Sequence, residues 1–155
     1  MFVRAPIERD GDRFRVRLSP EERALLGGLV DDLEALLGDE DDPAVRRLYP
    51  DAYADDEAAA GEYRSLVGEA LRAGRHGALA TLRETIRRDT LTEEELGAWL
   101  GVLNDLRLVL GTRLGVTEEL YEQELAPNDP RAPEVAVFLY LTWLQETTVA
   151  ALRTV

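Results

Sequence analysis

Three features make this chain mainly α, a multi-helix bundle with a small N-terminal β-hairpin. Apolar residues recur every three or four positions through most of its length. Ser19-Pro20-Glu21-Glu22 and Thr92-Glu93-Glu94-Glu95 are capping boxes, in which a hydroxyl residue is followed three positions later by glutamate. Residues 13–18 alternate apolar and charged side chains with a period of two. The 155 residues suit a single domain, 1–155, large enough to bury a core without a metal or disulfide staple.

The elements follow in order. Residues 2–7 are expected to be extended, with Asp10-Gly11 as the turn and 13–18 as the returning strand. Its alternation sends Phe14, Val16 and Leu18 inward and Arg13, Arg15 and Arg17 into water. Ser19 then caps a helix with Pro20 at its first position. Leu25, Leu26, Leu29, Val30, Leu33, Leu36 and Leu37 form its apolar stripe, and Gly38 ends it. Asp42-Pro43 opens a short helix that Pro50 stops.

Residues 56–88 hold one helical phase through Leu71, Leu79, Leu82 and Ile86. They are therefore expected to be one helix, kinked at Gly74, with two helices joined there as the alternative. Thr92 caps the next helix, which Gly115 ends, and Leu91 and Leu96 are spaced as a hydrophobic staple. Apolar residues cover more than one face of this helix, which makes it the central one. Thr117 is expected to cap a short acidic helix through Leu125, and the last helix spans about 133–153. The stretch from Val135 to Trp143 favours strand by propensity, but its length without a turn decides for helix. Trp143 is expected inside the core of one chain, where Trp143→Ala would cost about 3–5 kcal/mol. Burial against a second copy is the alternative.

Composition bounds the function. The net charge of -13 repels phosphate backbones, so direct nucleic-acid binding is not expected. All 18 basic residues are arginine, as a GC-rich genome produces. The absence of cysteine excludes thiolate chemistry and disulfides within the chain. The opening residues do not form a signal peptide, and the longest apolar run, 135–141, falls short of the ~20 residues of a membrane span. The expected location is the cytoplasm.

Catalytic patterns are missing. There is one histidine, His76, no G-x-S-x-G and no H-E-x-x-H. Gly111 to Gly115 reads as a helix end rather than a phosphate loop. No catalytic residue, metal or cofactor is assigned, and the chain reads as a non-enzyme. The arginine row Arg13, Arg15 and Arg17, with Arg4 and Arg9, reads as a solvated strand face or a site for an acidic partner.

The informative polar residues interrupt the apolar helices. They are Asn104, Asp105, Arg107 and Arg113 in one helix and Gln145 and Glu146 in the last. They form either a structural network or a partner-binding surface. Arg107 or Arg113 is expected to pair with a carboxylate on another helix, because an unpaired charge among apolar residues is costly.

The stretches D-P-A-V-R-R-L-Y-P-D-A-Y (42–53), W-L-G-V-L-N-D-L-R-L-V-L-G-T-R-L-G-V-T (99–117) and L-T-W-L-Q-E (141–146) resemble the actinobacterial AosR-like oxidative-stress regulator family, formerly a domain of unknown function. The resemblance runs over nearly the whole chain. It implies a cytosolic regulator acting on transcription through protein partners, the transcription machinery among them. Family genes lie near a ClpS-type proteolysis adaptor and cysteine-biosynthesis genes, so an accessory of ClpS-linked regulated proteolysis is an alternative. The cysteine-pair redox switch proposed for the family cannot operate in a chain without cysteine. A helical ligand-binding or enzymatic domain is the rival reading, and it requires Asn104, Arg107 and Glu146 to converge on a large pocket.

Overall fold

The computed structural model of the chain describes residues 4–39, 42–48, 57–115 and 128–154. Two strands, β1 (Ile7–Asp10) and β2 (Arg13–Val16), form the hairpin. Five helices follow among the described residues: α1 (Pro20–Leu37), α2 (Pro43–Leu48), α3 (Glu57–Thr85), α4 (Glu93–Leu114) and α5 (Ala132–Arg153). A third strand, β3 (Thr90–Leu91), pairs antiparallel with β2, so the sheet order is β1-β2-β3. The segments expected from Thr117 to Leu125 and at Phe2 and Pro50 lie outside the described residues.

The hairpin differs from expectation in register. Asp10 pairs with Arg13, so the loop is Gly11-Asp12 and the first strand lies at 7–10 rather than 2–7. Gly11 has φ +66, which only a glycine adopts readily at the first loop position of a tight hairpin. Phe14 and Val16 are buried as the alternation requires, and Leu18 continues the same face. The arginine row is met by its own sheet: Arg15 reaches Asp10 at 3.0 Å and Arg17 reaches Glu8 at 2.7 Å. Leu91, expected only as a staple, sits opposite Phe14 in β3. Two residues carry too little periodicity to announce a strand.

The helix ends follow their local chemistry. Ser19 and Thr92 each accept from the amide three residues on, and Glu22 and Glu95 reach back to the cap amides. Gly115 closes α4 in the left-handed conformation, at φ +61. Gly38 ends α1 without it, at φ -74. Helix α3 runs unbroken past Gly74 and Gly77.

Helix α4 is the hub. It packs against α1, α2, α3, α5 and the strands β2 and β3, with Leu96, Trp99, Val102, Leu103 and Leu106 buried. Helix α5 crosses it and also rests on β1. By length and apolar content α5 could span a membrane, but Val135, Phe138, Leu141, Leu144, Thr148 and Ala151 make its inner face part of the core.

That inner face corrects the expectation for Trp143. The Trp143 side is 45% exposed and Leu139 is 42% exposed, while Leu141 and Leu144 are fully buried. One residue is 100° of helix, so Leu144 in the core turns Trp143 outward. Trp143→Ala is therefore expected to cost less than about 1 kcal/mol, the surface level, rather than the core value. Urea denaturation of the two proteins measures the difference.

Helices α1 and α5 are tied by one short bond. The Tyr140 hydroxyl donates to Glu22 Oε2 at 2.6 Å. Burial raises the Tyr140 pKa and the bond to Glu22 raises it further, so the hydroxyl stays protonated and donates. Burial alone would raise the Glu22 carboxyl, but hydrogen bonds from Tyr140 and Ser19 outweigh it and hold it low. The Thr92 amide holds Glu95 low in the same way, against a smaller opposing effect of burial. Carboxylates lowered on folding stabilise fully above the ordinary glutamate value of about 4.3, and that stability is lost as pH falls through their folded values. Both caps should therefore weaken together below about pH 4. Glu22→Gln should lose about 1 kcal/mol at pH 7 and flatten the acid limb of a urea-midpoint profile. An unchanged limb would contradict this.

Candidate functional site

The six polar residues of α4 and α5 do not form one cluster. Helix phase separates them, because Asp105 and Arg107 are 200° apart on α4. Asp105 faces α3 and is 8% exposed, with Arg75 Nε at 2.9 Å. Burial pushes its pKa up, and Arg75 pulls against that. The sign is opposite to that of Glu22: a raised carboxyl stabilises at low pH, and that contribution is lost as pH rises through its folded value. Arg75 was legible in principle, since it stands on the same α3 stripe as Leu79 and Leu82.

Arg107 turns to α5. Its Nε donates to Thr142 Oγ1 at 3.0 Å and its Nη1 to Gln145 Oε1 at 2.8 Å. The guanidinium lies over the Phe138 ring, 5.5 Å from its centroid. Gln145 Nε2 in turn donates to Asn104 Oδ1 at 3.4 Å. Asn104, Arg107 and Gln145 are thus brought together, with Thr142 as a member that the sequence did not single out.

Arg113 and Glu146 stand apart. Arg113 is 3.9 Å from Asp42, just ahead of α2, and is more than half exposed. Glu146 is exposed. Of the two arginines expected to pair with a carboxylate on another helix, Arg113 pairs only loosely with Asp42 just ahead of α2, and Arg107 meets neutral oxygens instead. The interhelical pair of this region is Arg75–Asp105.

The seam has an apolar margin. Trp143 and Leu139 are exposed on α5, and Leu108 is 40% exposed on the outer side of α4. The Trp143 and Tyr140 rings lie 6.0 Å apart. Along α5 from Thr142 to Arg153 lies an open depression of about 290 Å³, bordered by Arg107, Thr142, Gln145, Glu146, Val149, Ala150 and Arg153. A second groove of about 290 Å³ lies between α1, α4 and α5. Its walls are mostly aliphatic, among them Leu29, Leu33, Leu106 and Val137, and Asp32, Arg113 and Glu134 also line it. Asn104, Arg107 and Glu146 do not converge there, and only Arg107 and Glu146 border the depression. Among the described residues no group of three His, Asp or Glu side chains is placed to hold a metal.

Comparison with known proteins gives two findings. A family model described as a domain of unknown function, DUF2017, matches residues 4–152. The chain is 33% identical to the oxidative stress regulator AosR of Mycobacterium tuberculosis, in an alignment covering 93% of this chain and 84% of that protein. The same figures hold for the AosR of Mycobacterium bovis. For the putative oxidative stress regulator AosR of Mycobacterium leprae the identity is 33%, covering 92% of this chain and 84% of that protein. No solved structure matches the chain.

Proposed function

This chain belongs to the DUF2017 family, whose relatives include named oxidative stress regulators, and from that membership we propose that it is a cytoplasmic, non-enzymatic regulator acting through protein contact. The observation that carries the reading is the exposed Trp143 and Leu139 on the same helix whose Thr142 and Gln145 hold Arg107. Tryptophan and arginine are the residue types that most often dominate protein interfaces, and a large aromatic left in water on a firmly packed helix gains free energy when a partner covers it. The chemistry of the seam supports binding rather than turnover. Its polar atoms bond to one another, and no nucleophile stands beside a base.

The net charge of -13 argues that the target is protein, such as a component of the transcription machinery, and not DNA. A cysteine switch is unavailable to this chain, so an oxidative signal must reach it through its partner or its abundance. The test is complementation of a strain lacking the gene. Wild-type protein should restore survival in hydrogen peroxide, and Trp143→Asp with Arg107→Ala should not, at equal protein level and unchanged circular dichroism. Full rescue by the double variant would remove this surface from the function.

A further inference from the structure

We infer that the α4–α5 seam is built to take a single side-chain carboxylate of a protein partner, flanked by apolar residues. The inference rests on the contact reading above and names the chemistry of the contact. The starting point is a charge imbalance. Acidic residues outnumber arginines 31 to 18, so a carboxylate is the easiest partner for any arginine here. Besides Arg107, four arginines are half-buried among the described residues: Arg9, Arg17, Arg23 and Arg75. Each has a carboxylate oxygen within 4.0 Å. Arg107 has none among the described residues. It is held by two neutral oxygens and an aromatic face.

A guanidinium has five N–H donors in a planar fork. Nε and Nη1 are engaged, which fixes the plane, and Nη2 donates to no described residue. The plane is therefore set before any ligand arrives, which reduces the entropy lost on binding. The depression beside it brings Arg153 from the end of α5, a second cation. Val149 and Ala150 give that border an apolar part, and Trp143 and Leu139 are exposed on the same helix.

Three observations select a lone carboxylate over a polyanion. Glu146 borders the same depression, forms no ion pair with either arginine, and repels a second negative charge. The chain's net charge of -13 opposes phosphate chains in proportion to their charge. The exposed indole needs an apolar neighbour that inorganic anions lack.

The experiment uses the full chain and a labelled synthetic helical peptide with one central glutamate between leucines on a neutral background. Its glutamine counterpart and inorganic phosphate serve as controls. Fluorescence anisotropy reads affinity, and nitrogen-15 NMR follows the Trp143 indole and the Arg107 Nε–H. The glutamate peptide should move both resonances. Affinity should fall about tenfold or more with the glutamine peptide or with Arg107→Met, and the two losses should not add. Should Arg107→Met not fold, Trp143→Ser at the exposed position carries the same comparison. Equal binding of the two peptides, or none at millimolar concentration, would overturn the inference. So would phosphate moving the same resonances at lower concentration, or self-association that buries Trp143. If the peptides behave as stated while Trp143→Asp with Arg107→Ala still rescues peroxide survival, the regulatory reading fails and the carboxylate site stands. The reverse outcome removes only the site.

Discussion

Trp99→Ala is expected to destabilise the protein by about 3–5 kcal/mol, the range for deleting a buried aromatic. Trp99 is fully buried on the hub helix α4. Its indole Nε1–H donates to Thr85 Oγ1 at 2.7 Å, and that hydroxyl donates onward to Thr81 O at 2.7 Å. Thr85 is only 1% exposed, so no water can replace the indole bond cheaply. The ring thus fills the joint between α3 and α4 and satisfies a polar atom there. Trp99→Phe should lose less, because part of the volume remains and Thr85 keeps its bond to Thr81. Thr85→Val should cost about 1–3 kcal/mol by leaving the indole N–H unpaired. Urea unfolding followed by circular dichroism gives all three values. A loss below about 1 kcal/mol for Trp99→Ala would mean that the ring is not core.

The second large effect is expected at Arg23, which binds backbone rather than a ligand. Its Nε donates to Leu18 O at 3.0 Å, and its Nη1 donates to Ile86 O and Arg88 O, each at 2.8 Å. Nη2 lies 3.2 Å from Asp89 Oδ1. Ile86 and Arg88 follow the end of α3, where carbonyls lose their helical donors. One side chain, 13% exposed, therefore closes the end of α3 and binds it to the start of α1. The same loop also holds β2, whose Val16 amide donates to Asp89 O at 2.7 Å. Arg23→Ala should cost about 2–4 kcal/mol, since bonds from a charged donor count for more than neutral ones and several carbonyls lose their partner together. Arg23→Lys should recover less than half of that, because a point charge cannot reproduce the planar fork. Hydrogen exchange should show the Val16 and Leu91 amides opening sooner in both variants. Unchanged exchange and stability would show that water serves these carbonyls equally well.

These two residues differ in how far the sequence announces them. Trp99 is one of the apolar residues that cover more than one face of α4, and a core position for it follows from that helix being central. Arg23 gives no signal, because the carbonyls of Ile86 and Arg88 are 63 and 65 positions away. The Tyr140–Glu22 bond spans 118 positions and is equally silent. At the seam, the motif residues Asn104, Arg107 and Gln145 were legible as polar interruptions, but their separation from Asp105 was not.

The chain by itself determines whatever is settled within one turn of backbone. Serine or threonine before glutamate closes a cap at Ser19 and Thr92, glycine permits the left-handed turn at Gly11 and Gly115, and alternation fixes the inner face of β2. Tertiary structure decides rotation and partnership. Helix α5 is apolar nearly all round, so no polar stripe marks its outer face and periodicity cannot tell Trp143 from Leu144. Only packing on α4 and β1 chooses, and it places Leu144 in the core and leaves the larger tryptophan in water.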